Sequence, residues 1–177
     1  MEPNDVSSMV GKVLWVKYFG QSAMQTIDLK KDKRFLSQYV ALRNSYCDQL
    51  LTFPVGIGQT EDWLDKNGQE VEILGLLEAD NLLGVSILYL NKNGEVAFFV
   101  KDKNKGTGSK LLKIIEEAAK LRKLSSIYAW VAQENTIAQH VFEKSGFVKE
   151  KDSDKEYKGK TRGGILYKKY LINHDYR

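Results

Sequence analysis

Apolar and polar positions change their period several times along this chain, and each change marks an element. "KVLWVKYFG" (Lys12–Gly20) alternates Val13 and Trp15 with Leu14, Val16 and Tyr18, a β-prone run that predicts a strand. Phe35, Leu36, Tyr39, Val40, Leu42 and Tyr46 then fall near helical spacing, so residues 33–50 are predicted to be mostly helix. Pro54, Gly56 and Gly58 interrupt it. "QTEDWLDKN" restarts a short helix, with Thr60 as its cap, Glu61 and Asp62 in its first turn and Gly68 just past its end.

From there the period is two. "QEVEILGLLEAD" and "NLLGVSILYLN" predict strands over 70–78 and 82–90 joined by a turn at Asp80-Asn81, and "NKNGE" turns the chain again into "EVAFFVK". This meander feeds a helix over 106–122 with Leu111, Leu112, Ile115, Ala118, Ala119 and Leu121 on its apolar stripe. Next come "SSIYAWVA" as a buried strand, "NTIAQHVFEKSG" as a helix that Asn135 opens and Gly146 closes, and the strands "FVKEKD" and "GGILYKKYL". No repeat, low-complexity tract or linker divides the 177 residues, so 1–177 reads as one domain with a flexible stretch at 1–9.

Composition narrows the function classes. No apolar run approaches the roughly 20 residues that cross a bilayer, and "MEPNDVSSM" lacks the basic and apolar regions of a secretory signal, so a cytoplasmic location is expected. The single cysteine, Cys47, has no disulfide partner and reads as a buried side chain. The two histidines, His140 and His174, have no zinc-site spacing, so no metal is expected. The net charge of +4 conceals an asymmetry: residues 1–93 carry 9 basic and 12 acidic side chains, residues 94–177 carry 18 and 11. A basic half suits nucleic acid, an anionic membrane, a polyphosphate ligand or plain solvation. Nucleic acid is not expected, because the lysines at 149, 151, 155, 158 and 160 are interleaved with acidic residues and no recognition signature accompanies them.

The chemistry concentrates in "VKDKNKGTGSKLLKIIEEAAK" (Val100–Lys120). A strand feeding a glycine-rich turn that opens a helix is one solution to binding phosphate, because the first helical N–H groups lack backbone acceptors and point at the anion. Gly106 and Gly108 permit close approach, and Lys103, Lys105 and Lys110 add charge. The plain alternative is a tight turn beside a solvated lysine face. The Walker spacing and the dinucleotide fingerprint are both missing.

From "EVAFFVKDKNKGTGSKLL" through "NTIAQHVFEKSGF" the chain resembles the GNAT superfamily, the acyl-coenzyme A-dependent N-acyltransferases. Lys103, Gly106 and Gly108 match its Gln/Arg-x-x-Gly-x-Gly/Ala motif, with lysine in place of Gln or Arg. Asn135, Ala138, Phe142, Glu143, Lys144, Gly146 and Phe147 match its second signature. The resemblance implies an α/β fold: a mixed, mostly antiparallel sheet of six to seven strands, splayed between the fourth and fifth and flanked by about four helices. It implies acetyl-CoA as cosubstrate and no metal. The pantetheine would lie along Phe98, Phe99 and Val100, and the pyrophosphate on the amides of Lys105, Gly106, Thr107, Gly108 and Ser109, with Lys103 beside it. Asn135 would bond the pantetheine or merely cap its helix, and Phe142 would pack on it.

The implied reaction is direct attack of a primary amine on the thioester, with the Val100 N–H polarising the carbonyl. Glu95 is the first candidate general base, Glu78 and Asp80 weaker ones; a solvated residue after the Asn93-Gly94 turn is the plain reading of Glu95. Relatives often have tyrosine as the leaving-group acid where this chain has Phe142, so solvent, Tyr128 or Tyr167 would have to supply the proton. The alternative function is a non-catalytic acyl-CoA-binding regulatory module. Expected partners are a small-molecule amine or a protein amino group, with Asp48, Glu61, Asp62 and Asp65 as attractors, no nucleic acid, no membrane, and a monomer or homodimer.

Overall fold

The computed structural model describes residues 24–103 and 105–171. The strand predicted over 12–20, the stretch 1–9 and His174 lie outside the described residues. Among the described residues nine strands and five α-helices follow one another: β1 (Met24–Asp28), α1 (Leu36–Asn44), α2 (Cys47–Leu50), α3 (Ile57–Asn67), β2 (Val71–Glu78), β3 (Asn81–Tyr89), β4 (Glu95–Val100), α4 (Thr107–Leu121), β5 (Ser126–Ala132), α5 (Thr136–Lys144), β6 (Val148–Asp152), β7 (Lys155–Tyr157), β8 (Lys160–Arg162) and β9 (Gly164–Tyr170). Seven strands form one sheet in the order β1-β2-β3-β4-β5-β9-β6, antiparallel except between β4 and β5, while β7 and β8 form a separate hairpin.

Alternation along the strands divides the apolar residues between two cores. Phe99 joins Tyr39, Val40, Leu64, Ile73 and Val85 on the side of α1 and α3. Val96 joins Leu112, Ile115, Ile127, Val131 and Phe142 on the side of α4 and α5. On the latter side Glu72 is buried between Lys30 (2.9 Å) and Arg122, and Lys30 Nζ also donates to Val71 O at 2.8 Å. This ionic cluster ties the segment after β1 to the C-terminal end of α4.

Several local expectations change. Glu78 pairs with Asn81, so the turn residues are Ala79-Asp80 rather than Asp80-Asn81, with Ala79 at φ 51°. Helix α3 starts earlier than the Thr60 cap implied: Gly56 is its N-cap, Gln59 Oε1 accepts from the Gly56 N–H at 2.8 Å, and Thr60 lies inside the helix. Strand β1 and the β7–β8 hairpin are additional elements. The hairpin closes through Lys158 and Gly159, both at positive φ (51° and 70°), the backbone a two-residue turn needs to follow strand twist. Among the described residues no helix is long and apolar enough to cross a membrane.

Candidate active site

Strands β4 and β5 diverge. They pair at Glu95–Tyr128, where the Tyr128 N–H reaches Gly94 O at 3.1 Å, and at no later position. On its other edge β4 is fully laddered to β3. The Lys101 N–H donates to Leu83 O (2.8 Å), which makes Val100–Gly84 a non-hydrogen-bonded pair. By alternation the N–H and C=O groups of Val96, Phe98 and Val100 therefore turn away from β3 and toward β5. Those of Phe98 and Val100 face an open gap, where the Tyr46 hydroxyl donates to Val100 O at 2.8 Å. The Val100 N–H faces the same space.

This gap is a cleft of about 420 Å³. Phe98, Phe99, Val100, Lys103, Lys105, Gly106, Thr107, Gly108, Ser109, Asn135 and Phe142 all line it. Gly106 is the N-cap of α4 with φ 72°, a left-handed backbone that turns the chain out of the loop and leaves the first amides of a 15-residue helix at the cleft. Gly108 answers a steric demand: a Cβ there would stand 2.8 Å from the Phe98 ring and 3.2 Å from Val141 Cγ1. The site fits an extended ligand carrying amide and phosphate groups, because its walls offer backbone without a partner strand, helical N–H groups and lysine charge in sequence.

Asn135 caps α5, its Oδ1 accepting from the Ala138 N–H at 3.2 Å. Phe142 is buried against Phe98 (5.3 Å between centroids), Phe147 (5.0 Å) and Tyr167 (6.2 Å). Neither tyrosine considered as a proton donor is aimed into the cleft. The Tyr128 hydroxyl donates to Lys92 O at 2.6 Å, and the Tyr167 hydroxyl donates to Glu143 Oε1 at 2.9 Å. Burial, reinforced by that carboxylate, pushes Tyr167 up to about 12.

Glu95 sits beside the cleft rather than in its lining. It occupies the closed end of the gap, on the strand face it shares with Ala97 and Phe99, and its carboxylate meets Lys92 and Lys155, each at 3.5 Å. Glu78 lines a different recess, of about 410 Å³, with Met24 and Lys110, and Asp80 lies in the β2–β3 turn. Glu61, Asp62 and Trp63 on α3 do not line the cleft, and Asp65 pairs with Lys33 at 3.3 Å.

The opposite wall contains residues that motif reasoning passed over: Tyr46, Trp130, Glu134 and Arg162. Here the β7–β8 hairpin straps the mouth. Tyr157 is buried, donating to Thr52 O at 2.7 Å; Lys158 pairs with Asp48 at 3.0 Å; Arg162 pairs with Glu134. The Lys158 ammonium beside Asp48 lowers that carboxyl below its ordinary range. A "YKGK" turn signal between charged strands was the available sequence clue to this hairpin.

Known proteins share this fold. The fold is similar to spermidine N-acetyltransferase from Vibrio cholerae, solved with CoA and spermine (TM-score 0.74, 19% identity, covering 84% of this chain and 95% of that one). It is also similar to yncA from Salmonella typhimurium, solved with acetyl-CoA (TM-score 0.73, 16% identity, 86% and 96%). A third similar structure is ribosomal-protein-alanine N-acetyltransferase from Brucella melitensis (TM-score 0.72, 15% identity, 82% and 99%). None of the curated protein sequences matches the chain. The family model of the acetyltransferase (GNAT) domain matches residues 23–162, most of the chain's length, and the chain belongs to the GNAT acetyltransferase family.

Proposed function

We propose that this protein transfers an acetyl group from acetyl-CoA to a primary amine of a small molecule or a protein, by direct attack within a ternary complex. The observation that carries the reading is the splayed β4–β5 gap, whose edge of β4, without a partner strand, leads straight to the glycine-bounded N-terminus of α4. Acetyl-CoA would supply the activated acyl group. The amides of residues 105–109 and the side chains of Lys103 and Lys105 would hold the pyrophosphate, and the Phe98 and Val100 backbone would extend its ladder onto the pantetheine. Val96 lies about 13 Å beyond Val100 at roughly 3.3 Å per residue, so an arm entering at α4 reaches past Val100 toward the closed end. The Phe98 N–H then joins the Val100 N–H as a donor for the thioester carbonyl.

Holding both reactants in one cleft supplies much of the rate. Glu95, directly or through a water, would take the ammonium proton. No tyrosine replaces the missing acid at Phe142, so the thiolate would leave unassisted and be protonated by solvent. An ordinary thiol pKa of about 8.5 makes that tolerable.

Calorimetry with acetyl-CoA, followed by thiol release with a panel of amines, tests the reading. Binding with amine-dependent release is the expected result, and failure to bind at millimolar concentration overturns it. A second reading, a non-catalytic acyl-CoA-binding module, draws on the double ion pair that occupies Glu95; binding without release by any amine would select it.

A further inference from the structure

Resting on the acetyltransferase reading, we propose that the protein acetylates itself on Lys155. Strand β7 carries Lys155 Nζ to 3.5 Å from Glu95 Oε1 and 5.1 Å from the centre of the Trp130 ring. Trp130 lines the cleft, and so does Ala97, which shares the strand face of Glu95 one pleat further in. The Lys155 amine therefore stands where an acceptor amine has to stand: on the candidate base, over an aromatic wall, at the end of the gap that the acyl arm approaches. Its placement is fixed from both sides. The Trp130 indole N–H donates to Ser153 O at 2.6 Å just before the hairpin, and Tyr157 and Lys158 fasten the far end to Thr52 and Asp48.

Lys92 provides the internal comparison. It is also 3.5 Å from the Glu95 carboxylate, but it belongs to the β3–β4 turn and lies over the Tyr89 ring (4.7 Å), outside the gap. Proximity to Glu95 is equal for the two lysines and neither lines the cleft, but the ring under Lys155, Trp130, does, and the ring under Lys92, Tyr89, does not.

In the step, the Lys155 nitrogen forms a bond to the acyl carbon of acetyl-CoA as the carbon–sulfur bond breaks and coenzyme A leaves as thiolate. Of the two protons the ammonium gives up, one passes to Glu95 and on to solvent, and the other ends on the thiolate. The product amide is neutral, so it releases Glu95 from one of its two cations and ends the cation–ring contact with Trp130.

The test is a time course of the full-length protein with acetyl-CoA, followed by peptide mass mapping, with urea-unfolded protein giving the rate of uncatalysed acetylation. Lys155 is expected to gain one acetyl group at least about tenfold faster than Lys92, with a first-order rate constant independent of protein concentration, as an intramolecular reaction requires. Glu95→Gln is expected to slow the modification, and Lys155→Arg to abolish that peptide's mass shift. Acetylation spread evenly over exposed lysines, or a rate that rises with protein concentration, overturns the proposal. Absence of Lys155 acetylation in protein that still acetylates external amines overturns it while leaving the acetyltransferase reading intact; absence of both binding and turnover removes that reading and the proposal together.

Discussion

The two walls of the cleft are built on different physics. The wall of β4, α4 and α5 draws on residues 96–109 and 135–142, is packed by Phe98, Val141 and Phe142, and depends on a missing Cβ at Gly108. The facing wall is assembled from Tyr46, Asp48, Trp130 and the distant β7–β8 hairpin, and much of it is held by ion pairs reaching solvent: Lys158–Asp48, Arg162–Glu134 and Lys155–Glu95. Close packing fixes shape, whereas exposed ion pairs are individually weak and exchangeable. The first arrangement suits a constant cosubstrate, and the second suits a site whose cations an incoming amine can replace.

The largest expected effect lies under the packed side. Glu72→Ala removes the buried carboxylate shared by Lys30 and Arg122; because both cations keep access to water, the cost is expected to be about 2–3 kcal/mol in urea unfolding at neutral pH. Burial alone would raise the Glu72 pKa, but hydrogen bonds from Lys30 and Arg122 outweigh it and the value lies below the ordinary 4.5. A depressed folded-state pKa means that this stabilisation is present in full above 4.5 and is lost as pH falls through the lowered value. Wild type should therefore lose stability below pH 4.5 more steeply than Glu72→Gln. Equal acid sensitivity of the two would show that the cluster contributes little.

Next comes Gly108→Leu. With Phe98 2.8 Å from the new Cβ, the loop has to move, and acetyl-CoA affinity is expected to fall about a hundredfold in calorimetry, while circular dichroism still reports a folded protein. Unchanged affinity would mean that the cleft wall yields and the comparison between the walls is wrong. The smallest effect belongs to Asp48→Asn. Its carboxylate is exposed and its partner Lys158 is a surface lysine, so the unfolding midpoint is expected to stay put while the KM for cationic amines shifts several-fold and kcat holds. A shift in stability with no change in KM would assign the pair to folding instead.

Much of the fold was readable because its signals are local. The two-residue period of β2, β3 and β4, the 3.6-residue stripe of α4 and the Asn135 cap each arise within about fifteen residues, and all are present except that Leu121, placed on the stripe, is exposed at the last position of α4, where no neighbouring element covers it. Strand β1, "MQTID", escaped because five mixed residues carry little period, and the hairpin because lysine-rich strands resemble solvated surface. Glu95 was readable as a residue type on a strand, but not as a carboxylate clasped by two lysines, one of them sixty residues away.

By itself the sequence determined the meander, the long helix after a glycine turn and the resemblance to the GNAT family, because backbone propensity, capping and glycine spacing act between near neighbours. Only the tertiary structure decided that β4 and β5 part after a single pair, that Gly108 lacks room for a Cβ because Phe98 fills its place, and that the hairpin lays its cations on the facing wall. Those features depend on contacts between residues ten to more than a hundred positions apart, and no local pattern encodes a distance across the sheet.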